Sequence, residues 1–271
     1  MEEDKGREEK EECEELTETI GFVVEEKCNS NNGRGRTFCS NRCRRPINVC
    51  ICSELPCEPI STSTQIVILQ HPHELRHKLS TGPVLPLCLR RCQTLVGRRL
   101  RPRSCPLLDS QPRAIFLFPT IDPKFPSMLL EDFISSFRNE PSGDDLILIL
   151  FDGTWRHAKE MVTASRDFLG NFAVQVSLGF DSGVEGGSIF DNELILRKEP
   201  FGGCMSTIEA VARALKLIEP NGAEIEERLL GVLRAMVRFQ AGYLKPMKPR
   251  PRLCKKGKEK SKLNSNTEPL D

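Results

Sequence analysis

Five short stretches of consecutive apolar residues punctuate the chain: TQIVILQ (64–70), AIFLF (114–118), DLILILF (145–151), FAVQVS (172–177) and ELILR (193–197). Short apolar runs without polar alternation are what strands covered on both faces require, and that environment is a parallel sheet. Helical or loop segments of suitable length separate them, so the pattern predicts an α/β fold. Two helices follow. Ile208, Val211, Ala212, Leu215 and Ile218 share one face of a helix over 206–219, whose start carries Ser206 and Glu209 in capping-box spacing and whose end is marked by Pro220, Asn221 and Gly222. A last helix over about 223–243 carries Leu229, Leu230, Leu233, Met236, Val237 and Phe239, and Pro246 closes it. No internal repeat is present. The expected organisation is a disordered acidic N-terminus (1–37), a cysteine-rich module (38–60), an α/β domain (61–245) and a basic disordered tail (246–271).

Charge sharpens this picture. The formal net charge is only +1, yet residues 1–19 hold ten acids against three bases, while Lys245–Lys262 holds nine bases and a single acid, Glu259. Arg90, Arg91, Arg98, Arg99, Arg101 and Arg103 form a third cluster without a carboxylate, and 34–45 contains five more arginines. Clusters of this kind neutralise phosphates and release counterions, so a polyanion such as RNA is the expected partner. The termini alone are equally compatible with solvated tails. No run approaches the roughly 18 apolar residues of a membrane span, and MEEDKGREEKEECEEL is too acidic for a signal or transit peptide. A soluble protein of the cytoplasm or nucleus is expected, and in that setting its twelve cysteines point to thiols or metal ligation over disulfides.

Three motifs carry chemistry. CSNRCRRPINVCICSELPC offers Cys39, Cys43, Cys50 and Cys52 within fourteen residues, with Cys57 to spare. Four thiolates suit tetrahedral zinc, and a closed tetrad of this type stabilises a segment that lacks its own core. HPHELRH contains an HExxH pattern in His73, Glu74 and His77, but no Glu or His occurs between 78 and 130 to supply a third ligand, so a metalloprotease is disfavoured. The third motif is LILILFDGTWRHAKEM, where an apolar strand delivers Asp152, Gly153, Thr154 and Trp155 into a helix. In open α/β sheets ligands sit outside the carboxyl ends of strands, and a carboxylate there is placed to accept a proton or hold a substrate. A helix cap for Asp152 and a core anchor for Trp155 are the structural alternatives.

Taken together, these segments resemble the DTW-domain family, whose Asp-x-Thr-Trp motif is matched by Asp152, Gly153, Thr154 and Trp155. Its RPxxVCxC segment resembles Arg45 through Cys52, its LQHPxE segment Leu69 through Glu74, and its STxEA motif Ser206 through Ala210. LRKEP at 196–200 is similar to the approach to that last motif. One departure is the three-residue gap between Cys39 and Cys43, where the family has two. The resemblance, over about 38–245, implies a SPOUT-like α/β fold with a C-terminal trefoil knot and S-adenosylmethionine as co-substrate. It further implies transfer of the 3-amino-3-carboxypropyl group to N3 of a tRNA uridine. On this reading Asp152 is the general base, and Thr154, Trp155, Ser206 and Thr207 are cofactor contacts. The arginines of 90–103 bind tRNA, and the cysteine tetrad holds structural zinc. Two other readings stay open: an S-adenosylmethionine-dependent RNA methyltransferase and a non-catalytic zinc-bearing RNA-binding protein.

Overall fold

The computed structural model describes residues 37–77, 79–120, 123, 125–137, 145–179 and 205–243. The expected strand at 193–197 and both charged termini lie outside the described residues. Six strands form the sheet: β1 (Gln65–Gln70), β2 (Cys92–Val96), β3 (Ala114–Leu117), β4 (Met128–Leu129), β5 (Ile147–Asp152) and β6 (Ala173–Ser177). Their order is β2-β1-β5-β3-β6-β4 and every pairing is parallel. The parallel sheet expected from the apolar runs is thus present. Strands β2 and β4 had no such signal because they are the two edges. CQTLV is only partly buried, and Met128 and Leu129 stay exposed, so neither needed an apolar run.

Alternation along the central strands divides two cores. Ile66 and Ile68 of β1 join Leu148 and Leu150 of β5 on one face, and Val67 and Leu69 join Ile147, Ile149 and Phe151 on the other. Four helices cover these faces: α1 (Leu130–Phe137), α2 (Trp155–Leu169), α3 (Thr207–Ile218) and α4 (Gly222–Ala241). Helices α3 and α4, with Leu130 and Ile134 of α1, fill the first core, and Ala158, Met161, Val162 and Leu169 of α2 fill the second. Helix α3 begins where expected, with Ser206 Oγ accepting from the Glu209 amide at 3.4 Å. The α3–α4 turn needs glycine, because a side chain at Gly222 would collide with the carbonyl oxygens of Leu215 and Lys216.

The cysteine-rich segment closes on itself and then joins the main core. A bridge pairs Phe38 with Pro46, and the Cys39 amide donates to the Arg45 carbonyl at 2.7 Å. Ile51, fully buried, and Leu55 belong to the same core as α4; burying one such side chain stabilises by roughly 1.5–3 kcal/mol. Polar contacts reinforce the seam, Arg45 Nη2 donating to Gln240 Oε1 at 3.2 Å and Arg238 lying 3.6 Å from Glu54. Among the described residues no helix is long and apolar enough to cross a membrane.

Candidate functional site

Chain direction defines the ligand edge. From β1 the chain moves to β2 on one side, and from β5 it moves past β3 to β6 on the other, so the carboxyl ends of β1 and β5 form the switch point where α/β sheets hold ligands. Gln70 and Asp152, the last residues of these strands, are register partners. Both continue the alternation of Ile68 and Leu150, which turns their side chains toward the α3 face.

There Asp152 sits in a nest of donors. It is 3% exposed. Gln70 Nε2 donates to Asp152 Oδ2 at 2.8 Å and Ser80 Oγ at 3.3 Å, while Thr207 Oγ1 donates to Oδ1 at 2.5 Å. A side chain at Gly82 would strike Oδ2, so the backbone of this loop can approach the carboxylate only as glycine. Burial pushes the Asp152 carboxyl above its ordinary value against the bonds from Thr207, Gln70 and Ser80, and nearby Glu74 adds to the rise. The carboxylate therefore ties three segments together: the end of β1, the 80–82 loop and the first turn of α3.

Helix capping by Asp152 does not occur. Asp152 is the last residue of β5, and Thr154 caps α2, its Oγ1 accepting from the His157 amide at 3.3 Å. Trp155 turns to the second core and packs on Phe118 with ring centroids 5.6 Å apart. The four residues expected to contact cofactor are thus divided: Ser206 and Thr207 open α3 on the Asp152 side, whereas Thr154 and Trp155 open α2 on the other. Of the amides that begin α3, that of Glu209 is engaged by Ser206 and that of Ile208 by Thr81 Oγ1 at 3.4 Å. Gln70, Ser80 and Gly82 had no separate signal in the sequence, although Gln70 ends an apolar strand as Asp152 does.

The arginines also separate. Arg90 lies 3.5 Å from Glu58, and Arg91 pairs with Asp145 and donates to the Ser63 carbonyl at 2.6 Å. Arg98, Arg99, Arg101 and Arg103 are exposed beyond the other end of β2, about 16 Å away at 3.3 Å per residue. The Leu100 amide donates to Ser165 Oγ at 2.9 Å and docks this second group on the later turns of α2. Burial, then the charges of His157 and Arg98, depress the pKa of His71.

The four expected ligands of the N-terminal module converge. Sγ–Sγ separations are 3.6 Å for Cys39–Cys52, 3.6 Å for Cys43–Cys50 and 3.5 Å for Cys39–Cys50. Tetrahedral zinc with bonds of about 2.3 Å places its sulfurs roughly 3.8 Å apart, so the tetrad fits the ion despite the wider first spacing. Burial opposes ionisation of Cys43, but the amides of Arg45 and Ile51, with the Cys52 and Cys50 thiols, bring it to about 7; burial and neighbouring thiols push Cys50 up to about 12. The HExxH pattern forms no metal-binding helix: Glu74–Arg76 is a single 3₁₀ turn, Glu74 is buried, and His77 Nδ1 lies 3.8 Å from Glu74 Oε1.

The fold and site define an all-parallel α/β domain with a buried carboxylate at its switch point, joined to a module whose four cysteines could hold a metal ion. The chain belongs to the DTW domain family, whose domain matches residues 36–241. It is 48% identical over 232 residues to tRNA-uridine aminocarboxypropyltransferase A of Arabidopsis thaliana, covering 82% of this chain and 87% of that protein. It is 34% identical over 210 residues to tRNA-uridine aminocarboxypropyltransferase 2 of Macaca fascicularis, covering 76% of this chain and 64% of the relative. The Drosophila melanogaster protein of the same name is 31% identical over 207 residues, 73% of each chain. No solved structure matches the chain.

Proposed function

We propose that this protein transfers the 3-amino-3-carboxypropyl group of S-adenosylmethionine to N3 of a uridine in tRNA. The observation that carries the reading is the Asp152 nest at the sheet's switch point, in a chain nearly half identical to a tRNA-uridine aminocarboxypropyltransferase. In the reaction the N3–Cγ bond forms as the Cγ–S⁺ bond breaks, the electron pair stays on sulfur, and methylthioadenosine leaves neutral. The N3 proton needs an acceptor. Asp152 fits that role: burial makes its carboxylate more basic, and Oδ1, which among the described residues accepts only from Thr207, keeps a lone pair at the α3 side. Thr207 and Ser206 stand where co-substrate polar groups would meet α3, and Thr154 and Trp155 border the same edge from α2.

Arg98, Arg99, Arg101 and Arg103 supply phosphate contacts to tRNA, and the ion pairs of Arg90 and Arg91 give those two a lesser part. One zinc on Cys39, Cys43, Cys50 and Cys52 would hold the N-terminal segment against α4 and take no part in the chemistry. The all-parallel sheet supports the SPOUT-like assignment, and the C-terminal knot is part of the same reading. Incubation with S-adenosylmethionine and unmodified tRNA tests the reaction class. Methylthioadenosine is the expected small-molecule product; S-adenosylhomocysteine would make the protein a methyltransferase, and no turnover with tight tRNA binding would make it a binding protein.

A further inference from the structure

The ligand edge carries a second constellation on its opposite face. His71 follows Gln70 directly, so alternation turns it toward α2, where it meets His157 of the first helical turn. The two rings are nearly parallel, 3.9 Å between centroids and 11° between planes, and His73 stands edge-on to both at 4.9 and 5.3 Å. Each of the three histidines offers a ring nitrogen, and these nitrogens lie within 4.8 Å of one another.

Two further observations separate this cluster from ordinary packing. His71 Nε2 and His157 Nδ1 are buried without a hydrogen-bond partner, and His71 as a whole is 1% exposed. Native interiors rarely leave such atoms unsatisfied, and an unoccupied ligand position is one of the few reasons they do. The approach of the rings is also built into the backbone. A Cβ on Gly153 would lie 3.2 Å from His157 Cβ and 3.3 Å from His71 Cβ, so the glycine between Asp152 and Thr154 leaves room for both imidazoles.

We propose that His71, His73 and His157 form a site for a zinc-type divalent transition-metal ion, separate from the cysteine tetrad. Imidazole suits zinc and its neighbours, whereas magnesium and calcium demand oxygen ligands that this trio does not offer. Three protein nitrogens leave the fourth tetrahedral position to water. Coordination through His71 Nε2 puts the ring proton on Nδ1 and displaces the 3.2 Å bond that Nδ1 now accepts from the His73 amide. Binding would require the stacked rings to fan apart so that their lone pairs converge, and His73, exposed on its turn, to swing in as the third ligand. The site stands on its own geometry and holds whichever reaction the Asp152 side performs.

The test is metal titration of the full-length protein after chelator treatment, with zinc and separately with cobalt(II), read by stoichiometry and absorption. Two equivalents are expected in the wild type. One gives the intense thiolate-to-cobalt charge-transfer absorption of a cysteine site; the other adds only weak visible bands of nitrogen ligation. His73→Gln and His157→Gln should each lose the second equivalent and keep the first. His73 is exposed, so its variant tests the site without a folding risk, and thermal melting checks both. A wild type that takes up one equivalent only, or a second equivalent that survives both substitutions, would overturn the proposal.

Discussion

Replacing Asp152 by asparagine keeps the shape of the side chain and removes its charge from a nest made of donors. Oδ2 accepts from Gln70 at 2.8 Å and Ser80 at 3.3 Å, and Oδ1 from Thr207 at 2.5 Å. Asparagine retains one accepting oxygen, and its amide then faces either the Thr207 hydroxyl, which can turn to accept, or the Gln70 and Ser80 pair. Hydrogen bonds to a charged group are worth about 1.5–3 kcal/mol and neutral ones about 0.5–1.5, so three weakened bonds cost roughly 3 kcal/mol. Relief of a buried charge opposes this, and the net loss of stability should stay within about 1–2 kcal/mol. The pH dependence carries a sign. Because the folded carboxyl is raised, wild type loses stability as pH climbs from the ordinary value of 3.8 through the folded one, and Asp152→Asn should lack that loss. Turnover should fall far more, by about a hundredfold to ten-thousandfold, the usual yield of a positioned base; that is roughly 3–5 kcal/mol of barrier. The assay is transfer from labelled S-adenosylmethionine to unmodified tRNA, with melting and co-substrate binding measured alongside. Near-normal turnover by a folded Asp152→Asn variant refutes the base; lost turnover together with lost co-substrate binding makes the carboxylate a positioning group.

Gly82→Ala should lower stability by about 1–3 kcal/mol by driving a methyl into Asp152 Oδ2, whereas Gly231→Ala, with nothing within 4 Å on α4, should be neutral or stabilising; paired thermal melts check this. Neutralising Arg98, Arg99 and Arg101 should flatten the salt dependence of tRNA binding by about 0.9 log units per lost phosphate contact, and neutralising the ion-paired Arg90 and Arg91 should do less. An unchanged slope in the triple variant would remove that surface from the RNA path. Glu219, buried, accepts from the amides and hydroxyls of Ser63 and Thr64, and these donors outweigh burial and depress its carboxyl. Its contribution is present above the ordinary value of 4.5 and is lost as pH falls through the depressed one, so denaturant unfolding of Glu219→Gln should show a shallower acid-side decline.

The central strands were legible because burial on both faces demands unbroken apolar runs, and β1 and β5 have them. The edges β2 and β4 were not, since a partly wet edge places little demand on composition. Helix α3 announced itself through its apolar stripe and the Ser206 cap, while the eight-residue α1 is too short for such a stripe to stand out. The cysteine tetrad was readable from ligand density alone. Asp152 was visible as a charged residue ending an apolar strand and Thr207 as a candidate site residue, but their pairing was not: Gln70, Ser80 and Thr207 lie 82, 72 and 55 residues from Asp152 along the chain, and the sheet register and the α3 packing bring them together. The same holds for the histidines, where a local HExxH spacing drew attention to His77 and the fold instead pairs His73 with His71 and His157.

Mass spectrometry of tRNA nucleosides from cells with and without this protein tests the central claim most directly. The account predicts a uridine carrying the 3-amino-3-carboxypropyl group at N3 that disappears with the protein and returns with the wild-type chain but not with Asp152→Asn. A nucleoside profile that is unchanged by loss of the protein, or that loses a methylated base in its place, would contradict it.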